Sequence, residues 1–315
     1  MKQNNQITFY DIIEFLFTFI FFSSLRVIPF TVRAKFCEWI GSLLYHIAGS
    51  ARKLLLKNLE YAFPEKDDEW RIKLAKKNVK NLGRQLAEFI QTSSISDKFF
   101  QKWFVPMPDA ESHRKIYSGG GICILGHLGN WEWHGFLAGF LGGKDIYTLV
   151  KKQRNPIMNK YVEKLRNRAH MQFIYIDQSA FISISKLRRG NLVAFTSDQN
   201  ARSSGEFFPF FGRLASTYLG PASVARNSDV PVYFVWSYHD ERKRLNFKFE
   251  EIKRPDNIPK ENVLEWEKAF TYTWVKRLEA HIKEHPEDYL WAHNRWKTQP
   301  ENPDEIWKSF GFKKD

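Results

Sequence analysis

Cysteine is almost missing from this chain: Cys37 and Cys123 are the only two in 315 residues, and no CxxC occurs. That excludes a disulfide framework and a thiolate metal site, and it fits a reducing compartment. A GxSxG elbow, a Walker loop and a GxGxxG turn are also missing, so the sequence carries no signature of a serine nucleophile, a P-loop or a dinucleotide fold. The charge-free run near the N-terminus, Phe15 to Leu25, has 11 residues, against the roughly 20 needed to span a bilayer. It lacks a strongly basic leader and a small-residue cleavage site, which argues against a cleaved signal peptide. There is no internal repeat and no long low-complexity linker.

What the chain does have is aromatic residues and positive charge. Its 28 Phe, 12 Tyr and 11 Trp make up 16% of the residues, and the formal net charge is +13. Rings of this kind pack cores, and they also suit the half-wet headgroup zone of a bilayer. The charge points to an anionic partner: nucleic acid, a membrane surface, or an acidic substrate or carrier. The segment Ile7 to Phe30, ITFYDIIEFLFTFIFFSSLRVIPF, reads as a helix lying in the interface. Arg26 near its end and Arg33, Lys35, Arg52, Lys53 and Lys57 beyond it suit an anionic cytoplasmic leaflet.

Periodicity then divides the chain. Helical spacing covers Thr31 to Ala48, Ala51 to Ala62, Asp67 to Gln91 and Asp97 to Phe104, with Pro64 closing the second stretch. From Gly119 short apolar runs alternate with helical ones. Strands are expected at GGGICILGH, Asp145 to Val150, Gln172 to Ile176, Asn191 to Thr196, Val230 to Ser237 and Leu245 to Ile252. Helices are expected at Trp131 to Leu141, Asn159 to Ala169, Ser179 to Arg188, Pro221 to Asn227 and Val263 to Glu284. This is an α/β pattern, a central mostly parallel or mixed sheet flanked by helices. The simplest parse is an N-terminal anchor helix over 1–35 and one domain over 36–315, helical over 36–118 with an α/β core over 119–300.

The stretch GHLGNWEW, Gly126 to Trp133, concentrates the chemistry. Asn130 is a favoured N-cap, so the helix starts at Trp131 and leaves His127 in the loop before it. That loop can fold His127 back toward Glu132 in the first helical turn, where the carboxylate would hold the imidazole in one tautomer. The pair would sit at a strand's C-terminal end, where open α/β sheets bind ligands. A zinc reading through His127, Glu132 and His134 has neither the HExxH spacing nor a thiolate partner. Cys123, within the apolar strand, reads as core.

GHLGNWEW resembles the HX4E form of the HX4D/E signature of glycerolipid-type acyltransferases, and within them the lipid A biosynthesis late acyltransferases, the lauroyl/myristoyl transferases. The likeness covers most of the chain. KNLEYAFPEK (Lys57 to Lys66), RNPIMNKYVEKLRNR (Arg154 to Arg168), VAFTSDQNARSSGEFFPFFG (Val193 to Gly212) and DYLWAHNRWK (Asp288 to Lys297) resemble further blocks of that family, in its order. Val150-Lys151 departs from the pattern, since many relatives carry Tyr-Arg there.

The resemblance implies transfer of a fatty acyl chain from acyl carrier protein to a hydroxyl of a lipid A precursor, at the cytoplasmic face of the inner membrane. No cofactor or metal is implied. His127 would be the general base, Glu132 its orienting carboxylate, and no covalent acyl-enzyme would form. Arg166 would contact the oxyanion or a phosphate, and Asp198 would position Arg166 or a substrate hydroxyl. Asn130 and Arg168 complete the expected substrate-binding set, although Arg168 points elsewhere on its helix than Arg166. His293 and Arg295 read first as support for the fold. Two rivals stand beside this reading. One is a relative acting on another glycolipid or phospholipid, or using acyl-CoA. The other is a non-catalytic membrane or nucleic-acid binding protein, against which the scattered basic residues and missing nucleic-acid module argue.

Overall fold

The computed structural model describes residues 7–105, 110–167, 170–175 and 179–311. Its chain order is helical first and alternating afterwards. Helices α1 (Phe9–Arg26), α2 (Phe30–Ile47), α3 (Gly49–Ala62), α4 (Asp68–Gln91), α5 (Asp97–Trp103) and α6 (Ala110–Gly119) precede the first strand. Thr8 and Asp11 form a reciprocal capping box at the start of α1. Asp67, expected inside α4, is its N-cap, accepting from the Trp70 N–H. The helix α6 was not expected.

The alternating part runs β1 (Gly121–Leu125), α7 (Trp131–Gly142), β2 (Ile146–Val150), α8 (Pro156–Asn167), β3 (Met171–Tyr175), α9 (Ser179–Arg188) and β4 (Leu192–Thr196). After β4 come a hairpin, β5 (Glu206–Phe210) with β6 (Arg213–Thr217), then α10 (Gly220–Arg226), β7 (Val232–His239), β8 (Leu245–Glu251), α11 (Val263–Glu284) and α12 (Pro303–Ser309). Six strands form one sheet in the order β3-β2-β4-β1-β7-β8, parallel throughout except for the antiparallel edge strand β8. The expected mixed, mostly parallel sheet is what forms. The hairpin was missed because Phe207 to Phe211 lacks apolar–polar alternation; both strands are largely buried.

Both faces of the sheet are covered, so its strands carry near-continuous apolar runs; β1 is buried at every position. Cys123, Leu125, Ile146, Met171, Leu192 and Ala194 pack with Trp133 and Leu137 of α7 on one face. Ile122, Ile124, Val193, Phe195 and Phe234 pack with Trp266, Phe270 and Trp274 of α11 on the other. Cys123 is core as expected, and burial pushes its thiol up to about 12.

The N-terminal helices are different in kind. Phe9, Tyr10, Phe17 and Ile20 of α1 are more than 60% exposed, and α2 exposes Val32, Phe36, Trp39 and Ile47. No described helix is long and apolar enough to cross a membrane. Arg33, grouped by sequence with the basic residues following α1, is instead buried, donating to the Leu25 carbonyl and to Gln91. It ties the α1–α2 turn to α4 and does not face outward.

Candidate active site

Parallel pairing brings the central residues together. Leu125 ends β1 and Thr196 ends β4, and the two are register partners on adjacent strands. Two residues further along each strand stand His127 and Asp198. The shared offset places them side by side at the C-terminal edge of the sheet, where such folds open a crevice. The His127 backbone N–H donates to Asp198 Oδ2 at 2.8 Å, and its Nδ1 lies 2.6 Å from Oδ1. Asp198 is buried, which by itself would raise its carboxyl. The imidazole, the His127 backbone N–H and nearby Arg295 more than offset this and hold it below the usual carboxylate range. An ionised carboxylate only accepts, so Nδ1 carries a proton, and in the neutral ring the lone pair is on Nε2. Nε2 faces the open side, with the Gln199 amide 3.5 Å away.

Glu132 is not the partner of this histidine. Its carboxylate makes a two-pronged pair with Arg166: Nε to Oε2 is 2.8 Å, and the terminal Nη2 meets Oε1. The guanidinium stacks over Phe89 and Phe173, with ring centroids at 5.8 and 5.7 Å. The two carboxylates thus exchange the roles expected of them. Asp198 orients His127, and Glu132 positions Arg166. Sequence proximity favoured Glu132, but α7 turns that side chain toward α8, while strand register delivers the aspartate.

Asn130 is the N-cap that sequence predicted, Oδ1 accepting from the Trp133 N–H at 3.0 Å. Its amide nitrogen donates to Glu88 Oε2 at 2.8 Å. Both ends of its buried side chain are thus engaged in building the loop. Arg168 lies outside the described residues. His134 is buried with its ring 4.7 Å from that of Phe247.

The loop carrying His127 is held by four bonds from three other segments. The Leu290 N–H donates to the His127 carbonyl, the Gly129 N–H to the Asp288 carbonyl, Gln85 to the Gly129 carbonyl, and the Asn130 N–H to Ser237 Oγ, all at 2.9–3.0 Å. Gly129 has φ +67, and a Cβ there would lie 2.0 Å from the Ser237 carbonyl oxygen, so the turn requires glycine. Burial and the neighbouring Asp198 carboxylate push the Tyr289 hydroxyl up. Arg295 is buried, donating to the Ser216 carbonyl and Thr217. The Nε2 of His293 accepts from the Asn200 N–H at 2.9 Å, as suits an imidazole kept neutral by burial. Sequence reading missed Glu88, Gln85 and Tyr289. The Asp198 pairing had a signal: GICIL-G-H and LVAFT-S-D each place a polar residue two past the end of an apolar run.

His127, Glu132 and Arg166 border one cavity of about 380 Å³. From this polar mouth the cavity runs between α7 and the sheet. Leu125, Ala194, Ile146 and Met171 line its inner part, with Gly135 of α7 opposite. Ile146 to Val150 spans four strand steps, about 13 Å of slot. A Cβ on Gly135 would meet the Met171 side chain at 2.1 Å, so the glycine lets Met171 pack against α7 and not into the slot. A hydrogen-bonded imidazole at the mouth of an apolar slot is suited to moving a proton beside a bound hydrocarbon chain.

Residues 2–298 match a family described as bacterial lipid A biosynthesis acyltransferase. A lipid A biosynthesis palmitoleoyltransferase of Escherichia coli K12 is 25% identical over 281 residues, covering 87% of each chain. A lipid A biosynthesis acyltransferase of Shigella flexneri gives the same figures. A lipid A biosynthesis lauroyltransferase of E. coli K12 is 24% identical over 291 residues, covering 87% of this chain and 88% of its own.

Proposed function

Taking as premise that the chain belongs to the bacterial lipid A biosynthesis acyltransferases, and is therefore an enzyme of acyl transfer onto lipid A, we propose that His127 is its general base and Asp198 the group that orients it. The observation that carries this reading is the 2.6 Å contact between Asp198 and His127 Nδ1, which leaves Nε2 facing the cavity. Nε2 takes the proton of an acceptor hydroxyl as its oxygen attacks the donor thioester carbonyl. The tetrahedral intermediate collapses by expelling the thiolate, and the imidazolium returns the proton to that sulfur. No residue is acylated. Arg166, immobilised by Glu132 and its two flanking rings, offers a positive charge to the developing oxyanion. The donor's acyl chain lies in the slot under α7.

The donor is an acyl carrier protein, an acidic partner suited to a chain of net charge +13. The acceptor is a lipid A precursor. The exposed apolar faces of α1 and α2 lie in the interfacial layer of the inner membrane, on its cytoplasmic side, with residues 1–35 as the anchor. Membranes containing the protein should transfer acyl groups from acyl carrier protein to a tetra-acylated precursor. His127→Ala should abolish transfer while leaving membrane association intact, and near-normal turnover in that variant would refute the base assignment.

A further inference from the structure

A second cavity, of about 510 Å³, lies between α1 and α8. Its apolar walls come from turns of both helices: Phe15, Phe19 and Phe22 on α1, and Ile157, Tyr161 and Leu165 on α8. Both triplets follow helical spacing, so each set shares one helix face. Three cations stand at its rim, Arg26 at the end of α1 and Lys160 and Lys164 on α8. All three are exposed. Among the described residues none of them is paired with a carboxylate. Charges normally find solvent or a counter-ion; three convergent ones above a greasy floor complement an anionic amphiphile.

The groove also adjoins the active site through a further cavity. Phe22 borders both it and a further cavity of about 380 Å³ lined by Phe89, Met158 and Val162. Trp131, Glu132 and Arg166 border that further cavity and also the one holding His127. Three adjoining cavities therefore lead from the exposed apolar helix α1, past Phe22, to the catalytic imidazole, with side chains between them that a ligand would displace. They reach His127 from the α8 side, whereas the slot under α7 leaves in another direction. Asn155 fastens the two helices that form the groove, donating to the Asp11 carbonyl at 2.9 Å and to Glu14 at 3.0 Å.

We propose that the α1–α8 groove is the docking site of the phosphorylated acceptor lipid, with its acyl tails between the two helices and its phosphate on Arg26, Lys160 and Lys164. The assignment deepens the acyl-transfer reading and rests on it for the identity of the lipid. The interface helix thus does more than anchor: it forms one wall of the entrance through which a membrane-borne hydroxyl reaches the base.

The test is equilibrium binding of a phosphorylated lipid A precursor and its dephosphorylated counterpart in detergent micelles. It compares the full-length protein with the triple variant Arg26→Ser, Lys160→Ser, Lys164→Ser. The wild type should bind the phosphorylated lipid at least about tenfold more tightly than the dephosphorylated one. The serine variant should bind both equally weakly, and the charge-keeping triple variant Arg26→Lys, Lys160→Arg, Lys164→Arg should restore the preference. In turnover, the serine variant should raise KM for the acceptor and not for the acyl donor. Undiminished preference for the phosphorylated lipid in the serine variant would overturn the proposal. So would an equal loss of adsorption to phosphatidylglycerol vesicles, since the cations would then serve bulk anionic lipid. If the wild type bound the lipid with this preference yet transferred nothing, the groove would stand and the catalytic reading would fall.

Discussion

Two histidines on neighbouring parallel strands invite comparison. His127 follows β1 and His239 ends β7, and each is clamped in the same way by one aspartate that takes both its backbone N–H and its Nδ1. For His127 the clamp is Asp198; for His239 it is Asp288, at 2.9 and 3.1 Å. The difference lies at the other nitrogen. Nε2 of His239 is 2.9 Å from buried Glu88, whereas among the described residues only the Gln199 amide approaches Nε2 of His127. Burial works against a charge on His239, but Glu88 and Asp288 more than offset it and push the group up to about 9. One imidazole is therefore cationic near neutral pH inside a structural network, and the other leaves its Nε2 free of any carboxylate among the described residues. An aspartate–histidine pair does not by itself mark a catalyst; what sets His127 apart is that its second nitrogen faces a cavity.

The comparison can be broken in order of expected effect. Asp198→Asn removes the orienting acceptor from the open histidine and should lower transfer by about 10²–10⁴-fold, the usual range for general-base catalysis, with folding intact by circular dichroism. Glu88→Ala strips a carboxylate from the closed histidine and leaves Arg84 and His239 buried without it. It should cost about 3–5 kcal/mol in urea unfolding, as breaking a buried pair does. Comparable costs in both assays for both variants would erase the distinction between the two sites.

Smaller effects sharpen it. Gly135→Ala pushes Met171 off α7 into the slot and should shift preference toward shorter acyl donors by about tenfold, the scale of one or two methylenes in an apolar pocket. Competition between donors of different length, read by mass spectrometry of the product, measures this; an unchanged profile would remove the acyl chain from the slot. The pH dependence of stability should be milder still. Because His239 is raised from 6.5 to about 9 in the fold, its contribution is fully present below 6.5 and is lost as pH rises through 9. Glu88 and Asp288 are held below their ordinary values despite burial, so their contributions are lost only as pH falls through the acid range. Thermal melting should be flat between the acid range and about pH 6.5, decline from there to about pH 9, and level off above.

Much of this architecture was legible before any coordinates. Apolar runs bounded by glycine and polar residues located the six sheet strands, and the Asn130 cap gave the helix start at Trp131. Local chemistry of that sort depends on neighbours in sequence. The partner of His127 does not. Asp198 is 71 residues away and becomes its neighbour only because β4 inserts between β2 and β1, an order set by the handedness of the crossovers and by packing on both faces. Glu132, five residues away, was the better local candidate and the wrong one. Arg33 shows the same limit, since a basic residue after an apolar helix gives no sign that tertiary packing will bury it. Glu88 was unreadable for a related reason, because in sequence it is one more polar position on an amphipathic helix.

Nitrogen-15 NMR of the His127 imidazole most directly tests whether Asp198, and not Glu132, governs the base. The account predicts a proton on Nδ1 and a bare Nε2 in the neutral side chain, with that tautomer lost in Asp198→Asn and retained in Glu132→Gln. A proton on Nε2 in the wild type, or a tautomer that answers to Glu132→Gln and ignores Asp198→Asn, would contradict it.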